Sequence, residues 1–242
     1  MTPTLPGETS VMDFPTNSPD DGPVDTTLGE QLLLLSLDDE SGAEKESANV
    51  AFAIAAASLV ELAGAGRVEV AGDQVTVLDA TPLGDPVLDT ALADIDGWKK
   101  SRPRKTKEWI EYLKRGAVAG TTKNLVAKGL VREETKRVLG LFPVTRFPEA
   151  DGSAEDVLRR RLDAVVMRGE TADERTASLV ALLHGAKLHG LLYKKPELAT
   201  AKTNMEKIAH GEWAAPAVRQ AVKAAEDALM AIVVVTTVTT VT

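Results

Sequence analysis

The sequence predicts a mainly α fold: a single multi-helix domain around a central hydrophobic helix, with two small β-hairpins. Three observations carry this. Apolar residues recur at helical spacing through most of the chain after residue 27. The stretch from Ala48 to Ala63 is apolar on nearly every face, as expected of a helix enclosed by others. Only two segments alternate with a period of two, and each follows a helical run that ends in glycine.

In chain order, residues 1–26 are Pro, Thr, Ser and Asp with few large apolar side chains, so burial cannot offset their ordering entropy. They are expected to form a disordered acidic tail. Thr26 or Thr27 caps a short helix, LGEQLLLLSL, whose leucines must be buried. A polar loop, DDESGAEKES, leads to the Ala48–Ala63 helix, which Gly64 and Gly66 end. RVEVAGDQVTVLD then alternates about a Gly-Asp turn as a first hairpin. TPLGD opens a helix from Pro86 to Trp98, and a second helix runs through WIEYLKR.

A short helix from Lys123 to Lys128 stops at Gly129, since only glycine takes the left-handed C′ conformation without strain. The second hairpin follows, carrying Val138, Leu139, Leu141, Phe142, Val144 and Phe147. Glu134-Thr135-Lys136 and Gly140-Leu141-Phe142-Pro143 are both plausible turns, and only the second projects Leu139, Leu141 and Phe142 outward. Amphipathic helices are expected over Ala154–Met167, Ala172–Tyr193, Pro196–His210 and Pro216–Val235. The β-branched end, VVVTTVTTVT, suggests fraying or a terminal strand, so the domain is set at residues 27–235 and a tail at 236–242. Leu59–Leu92 and Leu125–Leu162 share one order: helix, glycine stop, hairpin, turn, helix.

Composition narrows the chemistry. The chain has no cysteine, which excludes disulfides and thiolate metal sites. The net charge of −8 is uneven. Six of the 36 acids lie in the first 30 residues, which hold no base, so the remainder has 30 acids against 28 bases. Within that near-neutral body, residues 99–115 carry eight bases against two acids. Arg102, Arg104, Lys105 and Lys107, with Lys114 and Arg115 further on, form a patch suited to an anionic surface, lipid headgroups or nucleic-acid phosphates. No phosphate-binding or nucleophile motif occurs, and His184 and His189 would lie about 140° apart on one helix, wrong for a shared metal. The expectation is a non-enzymatic protein without cofactor or metal. No secretory signal or spanning segment is visible, so a cytoplasmic protein, peripheral on the membrane, is expected.

LGEQLLLLSLDDESG, LVELAGAGRVEV, TPLGDPVLDTAL, WIEYL, KNLVAKGLV and ADERTASLVALLHGAKLHGLLY occur in the order found in the Golgi phosphoprotein 3 family, which residues 27–235 resemble. The acidic tail and short loops fit too, the latter looking more like a bacterial relative. The resemblance implies an all-α domain with a protruding hairpin that dips into a bilayer. It also implies recognition of phosphatidylinositol 4-phosphate and an adaptor role toward protein clients. The family's lipid pocket uses a Trp and an Arg flanking the start of the central helix, positions that fall near Glu46 and Ala55 here. It also uses a basic run before KNLVAKG, where Lys114 and Arg115 remain.

The expected function is therefore a peripheral membrane-binding module. The six bases named above would contact anionic phospholipid headgroups, and Leu139, Leu141, Phe142 and Val144 would insert. The alternative is a winged-helix nucleic-acid binder, since a helix, glycine stop and basic-flanked wing read that way as well.

Overall fold

The computed structural model describes residues 26–37, 47–98, 104–138, 142–150, 152–211, 213–214 and 216–239. The expected tail, the polar loop after the first helix, Arg102, Leu139 and Leu141 lie outside them, except for the ends of the first two. The elements are helices α1 (Leu28–Ser36), α2 (Ser47–Gly64), α3 (Pro86–Asp96), α4 (Thr106–Ala127), α5 (Ser153–Val166), α6 (Glu174–Gly185), α7 (His189–Leu192), α8 (Leu198–Ala209) and α9 (Pro216–Thr239). Strands β1 (Val68–Ala71) and β2 (Gln74–Val77) lie between α2 and α3, and β3 (Glu134–Val138) and β4 (Phe142–Arg146) between α4 and α5. The fold is mainly α, as expected.

α2 is central because it has no polar face to present. Ala53 through Ala57 are fully buried, and α1, α3, α4, α6, α9 and β1 all pack on the helix. Each large side chain it buries, such as Ile54, Leu59 and Leu62, contributes roughly 1.5–3 kcal/mol. α1 is held against it at both ends of its first turn. Thr27 and Glu30 form a reciprocal capping box, and the Leu28 N–H donates to Glu61 of α2 at 2.6 Å.

Both glycine stops use the same geometry. Gly66 has φ +67° and Gly129 has φ +71°. After α2, Gly66 N–H donates to Ala63 O at 3.0 Å and Arg67 N–H to Leu62 O at 2.8 Å. After α4, Gly129 N–H donates to Val126 O at 3.0 Å and Leu130 N–H to Leu125 O at 2.9 Å. This paired closure of the last carbonyls is the Schellman motif, and it turns each chain sharply into its hairpin.

The hairpins then diverge. β1–β2 turns at Gly72-Asp73, buries Val68, Val70 and Val75, and packs on α2, α3 and α9. β3–β4 is fastened at its root, where Val131 bridges to Glu149 and the Arg132 N–H donates to Pro148 O at 2.9 Å. Beyond the root, among the described residues, β3 and β4 pack on each other and on no helix to a like extent. Their register pairs Glu134 with Arg146 and Val138 with Phe142, so the chain reverses between Val138 and Phe142. That is nearer the second of the two turns considered, although Phe142 and Pro143 are themselves paired strand residues. Glu134, Thr135 and Lys136 are paired strand residues.

Three element boundaries differ from expectation. WIEYLKR and KNLVAK belong to one helix, α4, whose buried Trp109, Ile110, Ala117, Thr121 and Leu125 keep helical spacing across Gly116 and Gly120. Conversely, the helix expected over Ala172–Tyr193 is broken into α6 and α7 at Lys187, which sits at φ 57°. Finally, α9 stays helical through Thr239, because β-branched residues only modestly disfavour helix and Ile232 and Val233 are buried within it.

Candidate functional site

The predicted bases gather along α4 and the strand-like approach to its N-terminus, but in different settings. Arg104 is enclosed by aromatic rings. Its guanidinium carbon lies 3.7 Å from the ring centre of Trp98, 4.8 Å from that of Tyr112 and 4.9 Å from that of Trp109. Those rings meet edge to face at 5.8 Å, so the cation stabilises an aromatic nest rather than extending into solvent. Lys105 caps α4, and its ammonium is 2.6 Å from Asp73 at the tip of the first hairpin. Both partners are more than half exposed, so the pair is weak and exchangeable. Lys107 is half-buried in the first turn of α4. Lys114 places its ammonium 3.9 Å from the ring centre of Phe52 on α2. Arg115 is exposed, 5.9 Å from the ring centre of Tyr112. Tyr112 thus lies between Arg104 and Arg115 and joins the two basic groups.

Beside Arg115 the structure opens a cavity of about 610 Å³ between α2, α3 and α4. Ala55 and Ser58 of α2 form its floor, Pro86, Val87, Thr90, Ala91 and Asp94 one wall. α4 supplies the other wall, from Tyr112 to Ala127. The cavity exists because α4 carries Gly116, Ala117 and Gly120 where larger residues would fill the space. Gly120 is also required by close approach, since a Cβ there would sit 3.0 Å from Val87 Cγ2. Sequence reasoning missed this cavity, although it singled out Ala55 and Arg115, which both line it.

The residues expected to insert into a membrane are only partly described. Phe142 and Val144 are on β4, opposite Val138 and Lys136. Leu139 and Leu141, between β3 and β4 in sequence, and Arg102 lie outside the described residues.

Two further polar groups need an account. Glu30 is fully buried, and Lys128 at the end of α4 reaches it at 2.7 Å. Burial pushes the Glu30 carboxyl above its ordinary range, against the opposing hydrogen bonds from Lys128 and Thr27. His184 and His189 contradict the helical-wheel expectation. The break at Lys187 swings the second imidazole back, so their ring nitrogens are 3.2 Å apart. Glu226 of α9 approaches His184 at 3.8 Å. Burial lowers both histidines, His189 to about 4, which makes the pair a neutral buried contact at pH 7. Among the described residues no group of three or more His, Asp or Glu could hold a metal.

α4 is packed against α1, α2, α3 and α9. No helix among the described residues is long and apolar enough to cross a membrane.

Comparison with known proteins fits this geometry. The family model for Golgi phosphoprotein 3 (GPP34) matches residues 28–225. A vacuolar protein sorting-associated protein 74 from Eremothecium gossypii is 30% identical over 166 residues, 58% of this chain and 49% of the relative. The chain thus spans about half the length of that relative.

Proposed function

The chain belongs to the Golgi phosphoprotein 3 family, and from that premise we propose that it binds anionic membrane surfaces peripherally. The β3–β4 hairpin is the shallow anchor, with Leu139, Leu141, Phe142 and Val144 as the inserting residues. Arg102, Lys105, Lys107, Lys114 and Arg115 contact the headgroups, phosphatidylinositol 4-phosphate among them, while Arg104 holds the aromatic nest together. One observation supports this reading: β3 and β4 pack mainly on each other, no helix packs on them to a like extent among the described residues, and Val138 pairs with Phe142 at the end away from the root. Each side chain of this size is worth roughly 1.5–3 kcal/mol when fully buried. A few partly inserted ones anchor weakly, so a second, electrostatic signal is needed for stable binding.

The name of the relative speaks of vacuolar protein sorting, which fits an adaptor that holds protein clients at the membrane. The membrane reading is tested by flotation with vesicles of neutral phosphatidylcholine, with added phosphatidylserine, and with added phosphatidylinositol 4-phosphate. Recovery should rise with anionic lipid, fall with salt, and be lost in Leu141→Asp and Phe142→Asp. Equal recovery on all three vesicles, unchanged by either substitution, contradicts the reading.

A further inference from the structure

The α2–α3–α4 cavity has walls of a definite chemistry. Its lining is dominated by Ala, Val, Leu, Pro and Gly. Three of the polar side chains along the walls are already bonded within the protein. Ser58 Oγ donates to Ile54 O at 3.2 Å, Thr90 Oγ1 to Pro86 O at 2.7 Å, and Asn124 Nδ2 to Asp85 Oδ2 at 2.9 Å. An inositol phosphate, with hydroxyls and charges on all sides, would exchange water for walls that return few hydrogen bonds. An alkyl chain loses nothing there and gains by leaving water. The volume of about 610 Å³ falls in the range of roughly 300–1,000 Å³ typical of small-molecule sites.

The rim is charged. Arg115 and Lys123 both line the cavity from the exposed side of α4, and neither forms an ion pair among the described residues. They are eight positions apart, about 12 Å along the helix. Asp94 on α3 is the one acid in the lining, so the rim is net positive and its cationic side is α4. An apolar interior with a cationic lip fits a ligand with one apolar tail and one anionic head.

We infer that this cavity binds a single-chain anionic amphiphile, a fatty-acid carboxylate, with the chain between α2, α3 and α4 and the carboxylate at Arg115, Lys123 adding to the positive charge of the lip. The inference deepens the membrane reading and rests on it only for the source of the ligand, the bilayer surface. It assigns the cavity an apolar chain in place of a sugar phosphate.

The test is calorimetric titration of the whole chain in vesicle-free buffer with decanoate, decanol and inositol 1,4-bisphosphate. Decanoate should bind at one site, decanol about tenfold more weakly, and inositol bisphosphate not at all. Gly116→Leu is the informative variant. A Cβ at Gly116 meets nothing within 4 Å, and leucine is the better helix former, so the variant should melt no lower than the wild type. Its side chain enters the cavity and should weaken both decanoate and decanol at least tenfold. Arg115→Gln should remove the preference for decanoate over decanol while decanol binding stays. Preferential binding of inositol bisphosphate overturns the inference. So does absence of decanoate binding, or a Gly116→Leu protein that binds decanoate as well as the wild type. A wild type that floats on anionic vesicles yet takes no decanoate overturns the cavity assignment alone. One that takes decanoate without floating overturns the membrane reading alone.

Discussion

The two hairpins begin alike and end differently. Each follows a long helix closed by a Schellman glycine, Gly66 in one case and Gly129 in the other. The first alternates Val68, Val70 and Val75 with polar residues, which gives it an apolar face to lay on α2, α3 and α9. The second distributes its character along its length instead of between its faces. Its root pairs Glu134 with Arg146 and Thr135 with Thr145, and its far end pairs Val138 with Phe142. A face-wise pattern docks a hairpin on a core, whereas a lengthwise gradient leaves its apolar end away from the root. One supersecondary unit thus serves as packing in one place and, in the function proposed here, as an anchor in the other.

The roots differ as well. Arg67 pairs with Asp79 inside the first unit at 2.8 Å, and both side chains are partly exposed. The second root is tied to another helix through Lys128 and the buried Glu30.

The largest break of this comparison is Val70→Asp. It buries an unpaired charge under the first hairpin and should cost roughly 3–5 kcal/mol in urea unfolding. Lys128→Met comes next, at about 3 kcal/mol near neutral pH, because Glu30 is left buried without its cation. Glu30 already has a raised pKa, so its folded form gains relative stability as protons become available. Without Lys128 the rise is greater, and the deficit of the variant should shrink as pH falls from 7 toward 5. A deficit that grows on acidification would show that Glu30 is not the group at fault. Gly66→Ala and Gly129→Ala should each cost about 1–2 kcal/mol for forcing a side chain into left-handed backbone. Their near-equality is the point: unequal costs would mean the two stops are not equivalent. If Leu141 belongs to the proposed anchor rather than to the core, Leu141→Asp should be smallest in stability, within about 0.5 kcal/mol of the wild type, as substitutions away from a core are. A large loss there would mean that the second hairpin is part of the core.

Much of this was legible in sequence because glycine is a local signal. Gly66, Gly72 and Gly129 all take positive φ, and each could be placed from its neighbours alone. At α4 the sequence reading split one helix into two, WIEYLKR and Lys123–Lys128. The buried spacing of Trp109, Ala117, Thr121 and Leu125 runs through Gly116 and Gly120 between them, and that period was the signal available. At α6 the failure is reversed. The residue in left-handed backbone is Lys187, while nearby Gly185 is there because a Cβ would press on Glu226 Cα at 3.1 Å. A helical wheel drawn through that hidden break put His184 and His189 on different faces when they touch. The cavity was illegible for another reason. It is made of side chains that are absent from α2, α3 and α4, and an absence has no local pattern until the helices are brought together.

The claim that the second hairpin, and not the first, inserts among the lipid tails has a direct measurement. The chain has no cysteine, so Leu141→Cys and Gln74→Cys each give one labelling site, near the reversal of the second hairpin and beside the turn of the first. With an environment-sensitive fluorophore at each position, phosphatidylserine vesicles should shift the emission of the label at 141 to the blue, and spin-labelled lipid tails should quench it. The label at 74 lies beside Lys105, so it can approach the headgroups but should not be quenched by the spin-labelled tails. No quenching at 141, or equal quenching at both positions, would contradict the account.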